Sequence, residues 1–254
     1  LVHAGLGLVV RISKKRSPVL HVIPVIDLKQ GAVVRAVGGD RTNYKPVKSP
    51  LAPGTDDPID VVAGLIDFFA GFNRLYVADL DGIEGGRRDQ ETVRRISSAF
   101  PKLQLLVDNG SANASDVKSL ALCPRTTPVI GSETLGSVAE LERISDRLNG
   151  AFALSLDWRG EERLGPLAVF EDPSNWPDTL IVMTLDRVGR GAGPGLDRLK
   201  AIKQRAADRE VLAAGGVRNI DDLRLLRRLG CGALVASCLH DGSVSCGDLT
   251  ALLE

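Results

Sequence analysis

The chain has 254 residues, of which 44% are hydrophobic and 25% are charged, and its 32 acidic residues balance its 32 lysines and arginines. These values are typical of a globular protein with a full core, so they exclude a disordered or fibrous chain. Because the net charge is zero, the chain has no excess of basic residues of the kind that most nucleic-acid-binding proteins carry. We therefore expect no nucleic-acid partner.

The amino-terminal segment differs from the rest of the chain. Its first ten residues are largely apolar and are followed by basic residues at positions 11 and 14–16. The apolar run is too short to cross a bilayer, and its charges follow it, which is the reverse of a secretion signal. We therefore predict that residues 1–18 are an extension outside a single domain of residues 19–254, and we expect no membrane partner.

The cysteines indicate a reducing compartment. Cys123, Cys231, Cys238 and Cys246 show none of the short paired spacings of zinc or redox sites. A chain of this length also folds without disulfides. We therefore expect a cytoplasmic protein with no metal site.

Eight short apolar runs alternate with amphipathic segments. We predict strands at residues 21–27, 74–79, 103–108, 127–132, 151–157, 179–184, 210–214 and 233–236. The intervening segments place apolar residues at three- and four-residue steps, which predicts helices. The helices cover residues 58–71, 89–100, 115–122, 135–148, 196–209 and 219–229. Strand–helix alternation favours an α/β fold with a parallel sheet, and eight repeats favour a single (β/α)8 TIM barrel over an open doubly wound sheet.

Most of the predicted strands end in polar or small residues. In a (β/α)8 barrel the carboxyl ends of the strands meet at one rim, where active sites form. The alternative is that such residues only mark where buried strands meet loops, and their repetition around the ring disfavours it. The strand-end residues are Asp27, Asp79, Asp81, Asp108, Asn109, Gly131, Ser132, Asp157, Thr184, Gly215 and Gly216.

An internal repeat relates the two halves of the chain. Residues 107–111, 115–117 and 130–132 match residues 213–217, 221–223 and 235–237 at nearly the same spacing. This pattern predicts a barrel of two similar halves. The first strand of each half then ends in an aspartate, Asp27 or Asp157, and we expect the two carboxylates to face each other across the mouth.

Glycines and small residues at equivalent strand ends predict two phosphate pockets. In such barrels the loops after strands seven and eight bind phosphate through backbone N–H groups and the N-terminus of a short helix. The candidate residues are Gly215, Gly216, Ala236 and Ser237 in the second half, and Gly110, Ser111, Gly131 and Ser132 in the first. The carboxylate of Asp108 repels a phosphate dianion, so we expect the second-half pocket to bind phosphate more tightly.

The pair Asp27 and Asp157 matches a defined chemistry. Opening a furanose ring and moving a proton between adjacent carbons requires an acid near the ring oxygen and a base near C2. Positioned carboxyl groups supply both, with no metal or organic cofactor. The alternative is that one or both aspartates only accept hydrogen bonds from loop amides.

A set of motifs follows the same order as in a known family. The motifs lie at residues 23–31, 33–35, 39–40, 77–82, 130–132, 156–157, 193–194 and 215–217. Together they resemble the HisA/HisF family, and within it the phosphoribosylformimino-aminoimidazole carboxamide ribotide isomerases (HisA). The resemblance runs from about residue 21 to the carboxyl terminus and implies the (β/α)8 fold.

The resemblance implies roles for four residues. In that family the first-strand aspartate is the base and the fifth-strand aspartate the acid of an Amadori rearrangement, which assigns these roles to Asp27 and Asp157. A threonine that ends strand six assists, and Thr184 holds that position. The Gly193-Pro194 pair implies a substrate or phosphate contact at Gly193.

The chain departs from the family pattern at three strand ends. Members usually have three glycines in place of residues 108–110 (DNG), Arg-Asp-Gly in place of 187–189 (RVG), and Gly-Arg in place of 236–237 (AS). The first-half phosphate pocket and the loop after strand six are therefore altered. Residues 40–49 and 83–86 resemble a divergent branch of the family, which is associated with tetrahydromethanopterin one-carbon metabolism.

Three functions remain open from the sequence. Either the protein isomerises the histidine-pathway intermediate, or its aspartates act on an arylamine ribosyl phosphate of tetrahydromethanopterin-type cofactor synthesis. The third alternative is a catalytically silent barrel that binds a phosphorylated ligand, because a fold alone does not determine function. In each case we expect a phosphorylated small-molecule ligand and a monomer or weak oligomer.

Overall fold

The computed structural model of the chain describes residues 20–35 and 44–253. The predicted extension at residues 1–18 lies outside the described residues, so the domain boundary stays a prediction. The motif residues Gly39 and Asp40, and residues 41–43 of the branch-like segment, lie outside them too.

The strands form one closed parallel barrel with three short antiparallel additions. In chain order they are β1 (Val22–Lys29), β2 (Ala32–Arg35), β3 (Lys45–Pro46), β4 (Arg74–Asp79), β5 (Gln104–Asp108), β6 (Thr126–Gly131), β7 (Ala153–Arg159), β8 (Glu162–Leu164), β9 (Thr179–Thr184), β10 (Glu210–Ala214) and β11 (Gly232–Val235). The parallel ring runs β1, β4, β5, β6, β7, β9, β10, β11 and returns to β1 through the pairs Val22–Ala233 and Ile23–Leu234. The predicted (β/α)8 barrel is confirmed, and the open-sheet alternative is wrong.

Helices connect the barrel strands. They are α1 (Pro58–Phe68), α2 (Leu80–Ile83), α3 (Gln90–Ala99), α4 (Lys118–Ala121), α5 (Val138–Leu148), α6 (Leu167–Glu171), α7 (Leu196–Arg205), α8 (Ile220–Leu229), α9 (Ser237–His240) and α10 (Cys246–Leu253), with 3-10 turns at Pro173–Asn175 and Leu185–Arg187. None of the helices in the described part of the chain is long and apolar enough to cross a membrane.

Three helices end or begin at residues other than the predicted ones, because of local side-chain hydrogen bonds or the backbone conformation of one residue. Helix α5 begins three residues later than predicted because the hydroxyl of Ser137 accepts the amide of Glu140 at 3.2 Å and caps the helix. Helix α7 ends at Arg205 because Ala207 has a φ of +50°, a left-handed conformation that stops a right-handed helix. Helix α4 is short because the side chain of Asn113 accepts the amide of Asp116 at 3.1 Å and builds a turn there.

Strand periodicity decides which side chains enter the barrel. Ile23 of β1 and Ala153 of β7 belong to the apolar cluster that fills the barrel interior. Because side chains alternate between the two faces of a strand, Asp27 and Asp157, each four residues further on, share that inward face. A second and larger apolar cluster lies between the strands and the helices. The two aspartates therefore lie at the carboxyl end of the barrel interior, and apolar side chains fill the interior on their amino-terminal side.

The amino-terminal end of the barrel is joined by a polar cluster around Glu210. Its carboxylate accepts from Arg74 at 2.9 Å and from the hydroxyl of Thr179 at 3.2 Å, and it contacts the His21 ring. Burial alone would raise the pKa of Glu210, but the hydrogen bond with His21 and the charge of Arg74 outweigh it and lower that pKa to about 2. These contacts link β10 to β4, β9 and the start of β1, at the end opposite the mouth.

Candidate active site

A cavity of about 420 Å³ opens at the carboxyl ends of the barrel strands. Its volume is that of a small-molecule site, and it lies where (β/α)8 barrels place their active sites. Its charged lining consists of Asp27, Asp108, Glu133, Asp157 and Asp241, and of Arg35, Arg190 and Arg218. Acidic and basic groups therefore share one cavity.

The carboxyl group of Asp157 is held from several directions. It is only 3% exposed, and its Oδ1 accepts the Ser155 hydroxyl at 2.6 Å. Its Oδ2 accepts the Ser132 hydroxyl at 3.2 Å and the Glu133 amide at 3.1 Å. In addition, the Ser132 hydroxyl accepts the amide of Asp157 at 2.9 Å. This carboxyl is fixed in place before any ligand binds.

Burial raises the pKa of Asp157 to about 7. The charges of Glu133 and Asp108 act in the same direction, whereas the hydrogen bonds from Ser155 and the Glu133 amide oppose it. A carboxyl group with this pKa is partly protonated at neutral pH. Asp157 is thus able to donate a proton at the pH at which most enzymes work.

Tyr76 and Asp108 form a second buried pair beside Asp157. The Tyr76 hydroxyl donates to Asp108 Oδ2 at 3.2 Å, and the opposite oxygen of Asp108 accepts the Gly110 amide at 3.1 Å. Burial, followed by the charges of Asp108, Asp157 and Asp27, raises the pKa of Tyr76 well above its ordinary value. The tyrosine therefore stays protonated and donates into a group of three carboxylates.

The sequence analysis did not propose Tyr76, Glu133 or Asp108 as site residues. Tyr76 shares the inward face of β4 with Ala78, so strand parity was the signal that pointed to it. Asp108 was noted only as a strand-end residue that alters the first-half pocket. Glu133 lies in a loop after β6, and no periodic pattern indicates which way such a side chain points.

The structure does not bring Thr184 together with the two aspartates. Met183 occupies the inward position of β9, so Thr184 points outward, where its hydroxyl accepts a hydrogen bond from Arg198 at 3.3 Å. Thr184 lines a separate cavity with Trp158 and Arg198, outside the barrel. The assisting role that the family resemblance implies therefore has no geometric support from this side chain.

The strand ends of β10 and β11, residues 215–217 and 236–237, form what we call the second-half rim. Gly215, Gly216, Ala236 and Ser237 all line the mouth cavity. Gly216 has a φ of +89°, and a Cβ there would lie 2.2 Å from the carbonyl oxygen of Gly193. Gly193 thus supports this rim from behind through its backbone and does not line the cavity.

Arg218 places a positive charge beside the second-half rim. It lines the mouth cavity, and its guanidinium donates to both carboxylate oxygens of Asp222, at 2.9 and 2.8 Å. The amide of Arg218 also donates to Asp222, at 2.9 Å. This two-point contact fixes the orientation of the guanidinium.

The strand ends of β5 and β6, residues 108–111 and 131–134, form the first-half rim. Gly110, Ser111, Gly131 and Ser132 do not line the mouth cavity, and both serines are fully buried. Of this rim, the side chains of Asp108 and Glu133 face the cavity. Gly131 lies behind the acids, since a Cβ there would stand 3.3 Å from Asp157 Oδ2 and 3.8 Å from Asp108 Oδ2.

Within residues 20–35 and 44–253, no group of three or more histidine, cysteine, aspartate or glutamate side chains is arranged to hold a metal ion. The carboxylates of the mouth instead contact hydroxyl groups and amides, as the bonds to Asp157 and Asp108 show. The described geometry is that of carboxyl groups held by hydrogen bonds.

Comparison with known proteins assigns the chain to a family. Residues 21–245 match the family described as histidine biosynthesis protein. Two relatives, from Aquifex aeolicus and Thermococcus onnurineus, are named 1-(5-phosphoribosyl)-5-((5-phosphoribosylamino)methylideneamino) imidazole-4-carboxamide isomerase. Each is 26% identical, over 90% of this chain and 96% of the first relative, and over 92% of this chain and 100% of the second.

A further relative is described only as an uncharacterised protein. It comes from Methanocaldococcus jannaschii and is 26% identical over 88% of this chain and 94% of its own length. The family match covers most of the chain, including every barrel strand from β1 to β11. The chain therefore belongs to the histidine biosynthesis protein family.

Proposed function

We propose that the protein is an isomerase that carries out an Amadori-type aldose–ketose rearrangement of a phosphoribosyl-amine, with Asp157 as acid and Asp27 as base. The observation that carries this proposal is the buried Asp157, whose pKa is about 7, in the same cavity as Asp27. The names of the relatives, which are isomerases acting on phosphoribosyl compounds, support the same reaction class.

The reaction needs one proton donor and one proton acceptor. Protonated Asp157 gives its proton to the furanose ring oxygen, so the bond between this oxygen and C1 breaks while the nitrogen lone pair forms a C1=N bond. The carboxylate of Asp27 then takes the proton from C2, and the resulting enol-amine tautomerises to a C2 ketone. In this last step protonated Asp27 gives its proton to C1 and the carboxylate of Asp157 takes the proton of the C2 hydroxyl, so bonds and protons balance and both aspartates regain their starting protonation states.

The Tyr76 and Ser155 hydroxyls support this chemistry without taking part in the bond changes. Ser155 fixes Asp157 Oδ1 at 2.6 Å, and Tyr76 binds the neighbouring Asp108 at 3.2 Å. Both side chains are buried, so their hydrogen bonds are shielded from competing water. The acid is thus positioned by groups that do not themselves titrate near neutral pH.

We assign the phosphate of the substrate to the second-half rim. Gly215 and Gly216 line the cavity, and among the described residues their amides donate to no backbone carbonyl outside the strand ladders. Arg218 adds a positive charge beside them. Glycine amides at a strand end together with a fixed guanidinium are the usual elements of a phosphate site.

The aglycone of the substrate divides this proposal into two candidates. The first is the histidine intermediate, on which the named relatives act. The second is an arylamine ribosyl phosphate of tetrahydromethanopterin-type cofactor synthesis, which the altered first-half rim favours because Asp108 stands where a second phosphate would bind. Both candidates use the same pair of aspartates and no organic cofactor.

Expression of the chain in a histidine-auxotrophic strain that lacks the isomerase tests the two candidates. Growth without histidine supports the first candidate. Without growth, turnover of an arylamine ribosyl phosphate by the purified protein supports the second, and Asp157→Asn serves as the inactive control. If the wild-type protein turns over neither compound, the isomerase proposal is wrong and a binding barrel is the better description.

A further inference from the structure

The first-half rim uses its own amides internally. The amide of Gly110 donates to Asp108 at 3.1 Å, and that of Glu133 donates to Asp157 at 3.1 Å. The amide of Ser132 donates to the carbonyl of Ser155 at 2.8 Å, and that of Thr134 to the carbonyl of Gly131 at 3.2 Å. A phosphate at this rim would have to displace the carboxylates and carbonyl oxygens to which these amides donate.

Backbone atoms also fill the space beside this rim. A Cβ on Gly110 would lie 2.5 Å from the carbonyl oxygen of Gly82 and 2.7 Å from the Cα of Ile83, so helix α2 packs directly on the rim. The Ser111 hydroxyl donates to the side-chain oxygen of Asn109 at 2.6 Å. The hydroxyl is therefore engaged within its own loop, and backbone atoms of helix α2 occupy the space on the side-chain side of Gly110.

Arg88, a basic residue that contacts this rim, is used structurally. Arg88 donates to the carbonyl oxygens of Asn109 and Gly110, at 3.1 and 3.3 Å. The same guanidinium forms an ion pair with Asp116 at 2.9 Å. Arg88 therefore holds the loop after β5 in place, and it does not line the mouth cavity.

What the first-half side presents to the cavity is a set of hydrogen-bond acceptors. Asp108, Glu133 and Asp157 line this side, and the oxygens of Asp108 and Asp157 accept hydrogen bonds from O–H and N–H groups. Such oxygens bind hydroxyl, amine or amide donors of a ligand. The second-half rim offers the opposite chemistry, with two amides and Arg218 as donors.

From this contrast we infer that the substrate carries a single phosphate, bound at the second-half rim, and a phosphate-free end with hydroxyl or amine donors against Asp108. The inference rests on the proposed function, because it names the substrate class of the same cavity. This substrate would differ from the compound in the names of the two relatives, which contains two phosphoribosyl groups. Asp108 is then a specificity-determining residue.

A matched pair of probes tests the inference: ribulose 5-phosphate and ribulose 1,5-bisphosphate, titrated calorimetrically into the wild-type protein. We expect dissociation constants within about threefold of each other, because the first-half rim presents carboxylates to a second phosphate and has its own amides in internal hydrogen bonds. Ser237→Asp, which places a carboxylate in the second-half rim, should weaken both probes by about tenfold or more. Ser98→Asp, the same change at an exposed position on α3, is the matched control and should change both affinities by less than about twofold.

Each other outcome has a defined meaning. Binding of the bisphosphate more than about threefold tighter than the monophosphate overturns the single-phosphate inference and leaves the isomerase proposal standing. Two equal affinities that Ser237→Asp does not change place the phosphate elsewhere and also overturn the inference. If neither probe binds, the proposed phosphoribosyl function itself fails. Crystals soaked in phosphate give an independent check, since an anion beside Gly110 and Ser132 contradicts the inference.

Discussion

The two rims of the mouth share a sequence pattern but use their amides differently. In the first-half rim, the amides of Gly110 and Glu133 bind the carboxylates of Asp108 and Asp157. In the second-half rim, Gly215 and Gly216 line the cavity, and among the described residues their amides donate to no backbone carbonyl outside the strand ladders. A repeated motif therefore predicts where the backbone turns, whereas the side chain that accepts the amides decides what the turn binds.

The two rims contribute different properties to the site. The first-half rim holds Asp157 and keeps it buried, which raises its pKa, whereas the second-half rim stays available for an anion. In the proposed function, one side of the mouth supplies the acid and the other side anchors the phosphate. The following predictions test this division, beginning with the largest expected effect.

Asp157→Asn should lower kcat by at least about a hundredfold, because the amide keeps the shape of the side chain but cannot donate the catalytic proton. Steady-state kinetics on the true substrate measure the change. Asp197→Asn, a fully exposed position on α7, is the matched control and should leave kcat within about twofold. Near-normal turnover by Asp157→Asn would remove the acid role from the first-half rim.

Gly216→Ala and Gly110→Ala should each lower the free energy of unfolding by about 2 kcal/mol or more, because both glycines have positive φ and lack space for a Cβ. Gly136→Ala is the control, since nothing lies within 4 Å of its Cβ position. Urea denaturation measures all three variants. If only one rim variant is destabilised, the two rims are not packed alike, and space would explain their different ligands.

Asp157→Asn should stabilise the protein at pH 8 by at least about 1 kcal/mol. The pKa of Asp157 is raised from 3.8 to about 7, so the folded protein holds a proton that the unfolded chain has lost. The stability that this bound proton gives to the folded protein therefore decreases as pH rises from about 4 to about 7. Denaturant titrations from pH 4 to 8 should show this slope in the wild type and a smaller one in the variant. Equal slopes would mean that the first-half rim does not perturb this carboxyl group.

The alkaline limit of kcat should move in opposite directions in two variants. Ser155→Ala removes a hydrogen bond that lowers the pKa of Asp157, so activity should persist to higher pH. Asp108→Asn removes a neighbouring negative charge that raises the pKa of Asp157. The alkaline loss of activity should therefore begin at a lower pH. We expect shifts of about half a pH unit in the pH profile of kcat. Shifts in the same direction would show that another group sets this limit.

Strand and helix periodicity allowed much of the fold to be predicted. The strands at 74–79, 179–184 and 210–214 match β4, β9 and β10 at both ends, because buried parallel strands are continuous apolar runs with sharp polar ends. Short helices such as α2 and α9 were missed, since four residues show no periodic pattern. Helix ends differed where a single cap or a left-handed residue, such as Ser137 or Ala207, stopped the helix.

The sequence by itself determined the barrel, the inward positions of Asp27 and Asp157, and the glycine turns at the strand ends, because strand periodicity and glycine conformation are local properties. Only the tertiary structure decided that Thr184 points to Arg198 and that the amide of Glu133 binds Asp157. These outcomes depend on which side chains from other strands or helices meet a given amide or hydroxyl. Such contacts join residues far apart in the chain, and the closing of the barrel brings them within hydrogen-bonding distance.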